Sequence, residues 1–206
     1  MNQKTVILAD GKFPEHEIPL RYLKEAERIV CCDGAAKALI GSGFEPFAIV
    51  GDCDSLTPEI LEKYNEKIFR IDEQETNDLT KSVNWCVERG YKDLVILGAT
   101  GKREDHTIGN ISLLAEYAKL ANVVMITDTG TIYPVLETTN FKSFPGQYVS
   151  VFSINPETEI TSGGLKYPLV KRKLRNWWEA TLNETTGDNF TLKFTGGPLI
   201  VFIKFD

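Results

Sequence analysis

The chain has 206 residues, room for one large domain or two small ones, and its 42% hydrophobic and 25% charged content is that of a globular protein, not a disordered one. No apolar run nears the roughly 20 residues that span a bilayer, and Met1-Asn2-Gln3-Lys4 runs into a strand-like stretch unlike a signal peptide, so a cytoplasmic protein with no membrane partner is expected. A net charge of −6 argues against a nucleic-acid partner, because binding a phosphate backbone relies on clustered Lys and Arg.

Through the first 128 residues, apolar runs of strand length alternate with segments of helical period. Strands are predicted over 5–9, 28–32, 47–50, 68–71, 94–97 and 122–127, and helices over 17–26, 35–40, 58–64, 79–89 and 107–119. That alternation specifies an α/β fold with a mostly parallel sheet and helices on both faces, in which ligands bind beyond the carboxyl ends of the strands. After Asp128 the helical period is lost. Phe190, Leu192 and Phe194 alternate with polar neighbours, 199–205 is almost continuously apolar, and turn signals stand at 186–189 and 195–198. The expected division is an α/β domain over 1–128 and an all-β sandwich over 129–206. Cys31, Cys32, Cys53 and Cys86 lack zinc spacing and read as small buried hydrophobes in a reducing compartment, with neither disulfides nor zinc.

The chemistry gathers at four successive strand-to-helix junctions. After 47–50 comes Gly51-Asp52-Cys53-Asp54-Ser55; in extended backbone Asp52 and Asp54 point to the same side, and two carboxylates are hard oxygen ligands suited to Mg²⁺. Neither is needed as a helix cap, since Thr57-Pro58-Glu59 supplies the next helix start. After 94–97, Gly98-Ala99-Thr100-Gly101-Lys102-Arg103-Glu104-Asp105-His106 offers small residues and a helix start to an anion such as phosphate. It is not a P-loop, and no G-x-G-x-x-G fingerprint occurs; the plainer account is a turn with Asp105 as helix cap. Asp78 and Lys81 in 75–81, and Asp33-Gly34-Ala35-Ala36, each have a plain account as a cap, the former with an exposed ion pair. Their shared position raises them above it: the parallel-sheet reading sets all four junctions along one edge, with carboxylates for metal and cations for phosphate in one cleft. His106 is either a proton carrier or a structural hydrogen-bonding group, since only His16 accompanies it.

Taken together, Asp33-Gly34-Ala35-Ala36, Gly51-Asp52-Cys53-Asp54-Ser55, Thr76-Asn77-Asp78-Leu79-Thr80-Lys81 and the 98–106 loop with Asn110 resemble the thiamine pyrophosphokinase family in order and spacing. Gly164-Leu165-Lys166-Tyr167-Pro168-Leu169 and Gly196-Gly197-Pro198-Leu199 extend the resemblance over nearly the whole chain. The resemblance implies a Rossmann-like nucleotide domain followed by a β-sandwich, and a homodimer in which thiamine lies between the first domain of one chain and the second of its partner. It implies an enzyme that transfers pyrophosphate from Mg·ATP to thiamine, giving thiamine diphosphate and AMP. Carried over by motif, Asp52, Asp54 and Asp78 are the metal ligands and, with Arg103, the catalytic set. Asp33, Gly34, Ser55, Lys81, Gly98, Gly101, Lys102, Arg103, Asp105, His106 and Asn110 complete the nucleotide site, and Gln74 and Asn183 match thiamine-contacting positions. Leu182 stands where members often carry Ser, and 199–202 lacks the Trp some members stack on thiamine; Trp177 and Trp178 are the alternatives, against the commoner role of Trp as core or interface. Two other functions fit the same cleft: an ATP-binding sensory module, and a pyrophosphokinase acting on a different small alcohol.

Overall fold

The computed structural model describes residues 4–206, so the opening stretch 1–3, read above as leading into the first strand, lies outside the described residues. One unit of the chain takes in Met1–Leu113 and Leu120–Asp128, the other Leu114–Lys119 and Thr129–Asp206. Among the described residues no helix is long and apolar enough to cross a membrane.

The first unit carries strands β1 (Thr5–Leu8), β2 (Arg28–Cys32), β3 (Ala48–Gly51), β4 (Ile68–Arg70), β5 (Asp93–Leu97) and β6 (Asn122–Ile126). Helices α1 (Glu17–Glu25), α2 (Ala35–Gly41), α3 (Pro58–Lys63), α4 (Asp78–Glu88) and α5 (Glu104–Tyr117), the last counted in this unit as far as Leu113, connect them. Every strand pairs parallel to its neighbours in the order β6-β5-β1-β2-β3-β4. All four residues of β1 and of β3 are buried, as continuous apolar strands covered on both faces must be.

Polar side chains start the helices where the sequence places them. Thr57 accepts from the Ile60 amide at 3.5 Å to open α3, and Asn77 accepts from the Thr80 amide at 2.9 Å to open α4. Helix α5 begins three residues before the apolar period suggests, because Glu104 and Asp105 suit the positive end of a helix.

Strands β1 to β4 march outward in one direction, while β5 and β6 lie on the other side of β1. The switch point of the sheet therefore falls between β1 and β5. Beyond the strand ends their loops stay bonded, Gly11 N to Gly98 O at 2.6 Å and Lys12 N to Thr100 O at 2.8 Å. Only glycine fits at position 11, where a Cβ would lie 2.3 Å from the Gly98 carbonyl oxygen.

The second unit consists of two antiparallel sheets. One has the order β12 (Asn183–Glu184), β9 (Tyr148–Ser153), β14 (Leu199–Lys204), β7 (Gly130–Val135). The other runs β11 (Arg172–Lys173), β10 (Glu159–Gly163), β13 (Asn189–Thr195), β8 (Thr139–Lys142). Val149, Val151, Leu199 and Val201 of the first sheet share a core with Ile160, Phe190 and Leu192 of the second, the layered packing of a β-sandwich. The alternation of Phe190 and Leu192 marks the buried face of β13, and the rings of Phe190 and Phe141 stack at 4.9 Å. The four cysteines are buried, unpaired thiols.

Asn183, carried over as a thiamine contact, is buried and turned inward. Its Oδ1 accepts from the amides of Tyr167 at 3.1 Å and Glu184 at 2.9 Å, and its Nδ2 donates to the Tyr167 carbonyl at 2.7 Å. It pins the turn that displays Tyr167. Replacing it (Asn183→Ala) strips partners from these backbone groups and is expected to cost about 1–3 kcal/mol, read as a lower denaturant midpoint at unchanged m. An unchanged midpoint would mean that the turn holds itself.

Candidate active site

Strand β3 ends on Gly51 and the chain turns at once: Cys53 takes the left-handed conformation at φ 65°, and the Asp54 amide donates to Asp52 Oδ1 at 3.4 Å. Asp52 and Asp54 thus converge through a tight turn, whereas the sequence suggested that extended alternation would do it. Asp33 follows β2 with its amide on the Val50 carbonyl at 2.9 Å. Carboxylate oxygens of Asp33, Asp52 and Asp54 all lie within 4.8 Å of one another. Asp78, the first residue of α4, stands close by without belonging to that group. A Cβ on Gly51 would come within 2.8 Å of Asp33 Cβ and 3.1 Å of Asp78 Oδ1, so the absence of a side chain there lets the acids crowd together.

Asp33 is only 3% exposed. Its Oδ2 accepts from the Ser55 amide at 3.3 Å, while its Oδ1 is buried with no hydrogen-bond partner. Burial raises its carboxyl above the ordinary range; Ser55 opposes the shift, and the charges of Asp78 and Asp52 add to it. Burial also raises Asp78, against the attraction of Lys81. At half-buried Asp52 the upward push of burial is outweighed by hydrogen bonds from Gln74 and the Asp54 amide, and the carboxyl is lowered. An all-oxygen donor set with one buried oxygen lacking a partner fits a hard divalent cation such as Mg²⁺.

A cavity of about 540 Å³ opens along this edge, lined on the acidic side by Asp52, Ser55, Gln74 and Asp78. Gln74 donates to Asp52 Oδ2 at 3.4 Å. Lys81 also lines it, with Nζ 3.3 Å from Asp78 Oδ1. The expected exposed ion pair is corrected here, since Lys81 is 4% exposed. A buried ammonium amid acids offsets their mutual repulsion far more than a solvated one would.

Lys102, Arg103, His106 and Asn110 line the cavity from the β5 side. Lys102 reaches Asp10 Oδ1 at 3.1 Å. Arg103 grips Asp105 through Nε at 3.1 Å and Nη2 at 2.5 Å, and that hydrogen bonding, with the His106 amide, holds the Asp105 carboxyl at about 2. Asp105 is a first-turn residue of α5 instead of the cap ahead of it. Gly98 and Gly101 shape the loop as left-handed turns at φ 64° and 81°, and Gly34 caps α2 beside Asp10. Asp10, Gly11, Asn77 and Thr100 line the cavity too. The sequence reading missed Asp10 and Gly11 because only the strand order shows that β1 adjoins β5; the Asp-Gly turn ending the first strand was the available signal.

Residues 20–126 match the family model described as thiamin pyrophosphokinase, catalytic domain, and residues 130–202 match the model described as thiamin pyrophosphokinase, substrate-binding domain. The chain belongs to the thiamin pyrophosphokinase family. Thiamin pyrophosphokinase 1 of Caenorhabditis elegans is 29% identical over 198 residues, covering 88% of this chain and 81% of that protein. Among solved structures, the Bacillus subtilis thiamine pyrophosphokinase superposes with TM-score 0.82 at 25% identity over 98% of this chain and 99% of that one. The Geobacillus thermodenitrificans thiamin pyrophosphokinase gives 0.79 at 26% identity over 98% of each. Membership of the thiamin pyrophosphokinase family implies ATP as co-substrate, and the reading as a sensory module is not favoured. The catalytic-domain match takes in every acid and cation of the cleft named above except Asp10, which precedes it.

Neutralising Asp33 while keeping its shape tests the acidic cluster as a cation site. Without divalent metal, Asp33→Asn is expected to raise the melting midpoint by about 2–4 °C for each kcal/mol of relieved repulsion, and to weaken Mn²⁺ binding at least about tenfold. Unaltered Mn²⁺ affinity would remove Asp33 from the metal set.

Proposed function

We propose that this protein transfers the pyrophosphoryl group of Mg·ATP to the hydroxyl of thiamine, giving thiamine diphosphate and AMP. The observation that carries this reading is the cleft of the first unit, where clustered carboxylates face Lys81, Lys102 and Arg103 in a chain whose two halves match the two family models in order.

In this reading residues 1–128 bind the nucleotide and 129–206 present thiamine. Asp52 and Asp54 would hold Mg²⁺ with Asp33, and Asp78 flanks them beside Gly51. Bound there, Mg²⁺ would neutralise charge on the phosphate oxygens, which is most of what pyrophosphoryl transfer requires. Lys81, Lys102 and Arg103 complete that neutralisation from the protein side. The hydroxyl oxygen of thiamine attacks the β-phosphorus, the bond from that phosphorus to the α-bridging oxygen breaks, and its electron pair leaves with AMP. Asp78, which lines the cleft beside Lys81, receives the hydroxyl proton.

Gln74 orients thiamine from the first unit. On the second unit, Leu182 and Trp178, each 73% exposed, are large apolar side chains that solvent alone would not favour. They support a homodimer in which the second unit of a partner copy completes the acceptor site. Asn183 serves that site from inside, through Tyr167. The buried thiols suit a reducing compartment, and we place the protein in the cytoplasm.

Purified protein with Mg·ATP should form AMP and thiamine diphosphate in equal amounts, and only when thiamine is added. Asp54→Asn should lower turnover by about 100-fold or more with its melting midpoint retained. Thiamine-independent loss of ATP, or a near-normal rate in Asp54→Asn, would contradict the assignment.

A further inference from the structure

Asp78 and the cations Lys102 and Arg103 come to the cleft from different loops, and one pair of side chains ties those loops together. Asn77, the cap of α4 and the neighbour of Asp78, donates through Nδ2 to Asn110 Oδ1 at 3.2 Å. Asn110, on α5 and 8% exposed, donates through its own Nδ2 to the Ala99 carbonyl at 2.9 Å. Ala99 lies in the loop that leads to Lys102 and Arg103. Asn77 Oδ1 is meanwhile committed to the start of α4, accepting from the Thr80 amide at 2.9 Å and the Thr80 hydroxyl at 2.8 Å.

We infer that Asn77 and Asn110 form a relay of positioning residues that fixes the span between the acidic rim, entered at Asp78, and the cationic loop, entered at Ala99. Asn110, carried over above as a nucleotide contact, acts through Ala99 instead. An amide suits both places because it donates and accepts at once, so the chain of bonds runs in one direction from helix start to loop. A ligand that carries both metal and triphosphate must meet both rims together, and preorganising their separation lowers the cost of binding it. A ligand that meets only the acids gains nothing from the relay. The inference rests on the reading of the cleft as an Mg·ATP site.

Two variants separate the relay from the cap. Asn77→Ser keeps an acceptor for the Thr80 amide, since Ser caps helices about as well as Asn, but is too short to reach Asn110. Asn110→Ala breaks the relay at its other member. Affinity for an Mg·ATP analogue that cannot transfer its phosphates should fall about tenfold in each single variant, the order of one hydrogen bond. The double variant should bind no more weakly than the singles, because the relay fails as a unit. Affinity for Mn²⁺ alone should not change, and Asn77→Ser should melt close to the unaltered protein.

Weakening confined to Asn110→Ala would overturn the relay in favour of direct nucleotide contact. Additive losses, a parallel loss of Mn²⁺ affinity, or a shift in melting with nucleotide affinity intact would each overturn it too. Unaltered protein that binds no Mg·ATP would sink the reading of the cleft, and the relay with it, before any variant is made; unaltered protein that binds it but makes no thiamine diphosphate sinks only the acceptor.

Discussion

The carboxyl edge of the parallel sheet concentrates like charge, and the rest of the site is arranged around that fact. Asp33, Asp52 and Asp54 bring oxygens within 4.8 Å of one another, with Asp78 close by. In bulk water such a group would repel modestly, but Asp33 is closed off from solvent, where the repulsion is several times stronger. Lys81 compensates from inside, buried against Asp78. The unpartnered Asp33 Oδ1 is the part of that tension left over, and it suits the hard divalent cation proposed there.

The parallel sheet explains why so many ligand-facing groups come from turns. Strands buried on both faces have no side chain to spare for chemistry, so every polar residue of the cleft lies beyond a strand end or on the helix that follows. Junctions after β1, β3, β4 and β5 supply residues there, and Cys32 at the end of β2 with the first turns of α4 and α5 supplies the rest. Their spacing is set by backbone contacts as tight as Gly11 to Gly98 and by the amide pair Asn77 and Asn110.

Much of this was legible in the sequence. Among the described residues, the alternation of apolar runs and helical period located β1 to β6 and α1 to α5, and the period-2 pattern of Phe190 and Leu192 located a sandwich strand, because burial pattern is local. Asp52, Asp78, Lys81, Lys102 and Arg103 were legible as a cleft because a parallel sheet leaves its junctions on one edge. What depends on three-dimensional neighbours was not. Nothing near Lys81 in sequence shows that the ammonium is buried, nothing near Asn183 shows that its amide turns inward to Tyr167, and the place of Asp10 in the cleft follows only once β1 is known to pair with β5. The left-handed Cys53, between two acids, replaced extended alternation with a turn for the same reason.

Two phosphoryl groups move together, in one transfer, from nucleotide to thiamine. ATP whose non-bridging β-phosphoryl oxygens carry a heavy isotope, with the label followed by mass into the products, is the measurement to make. Label is expected in thiamine diphosphate and none in the nucleotide product, which is AMP. Label retained in ADP, with thiamine monophosphate as the other product, would contradict it.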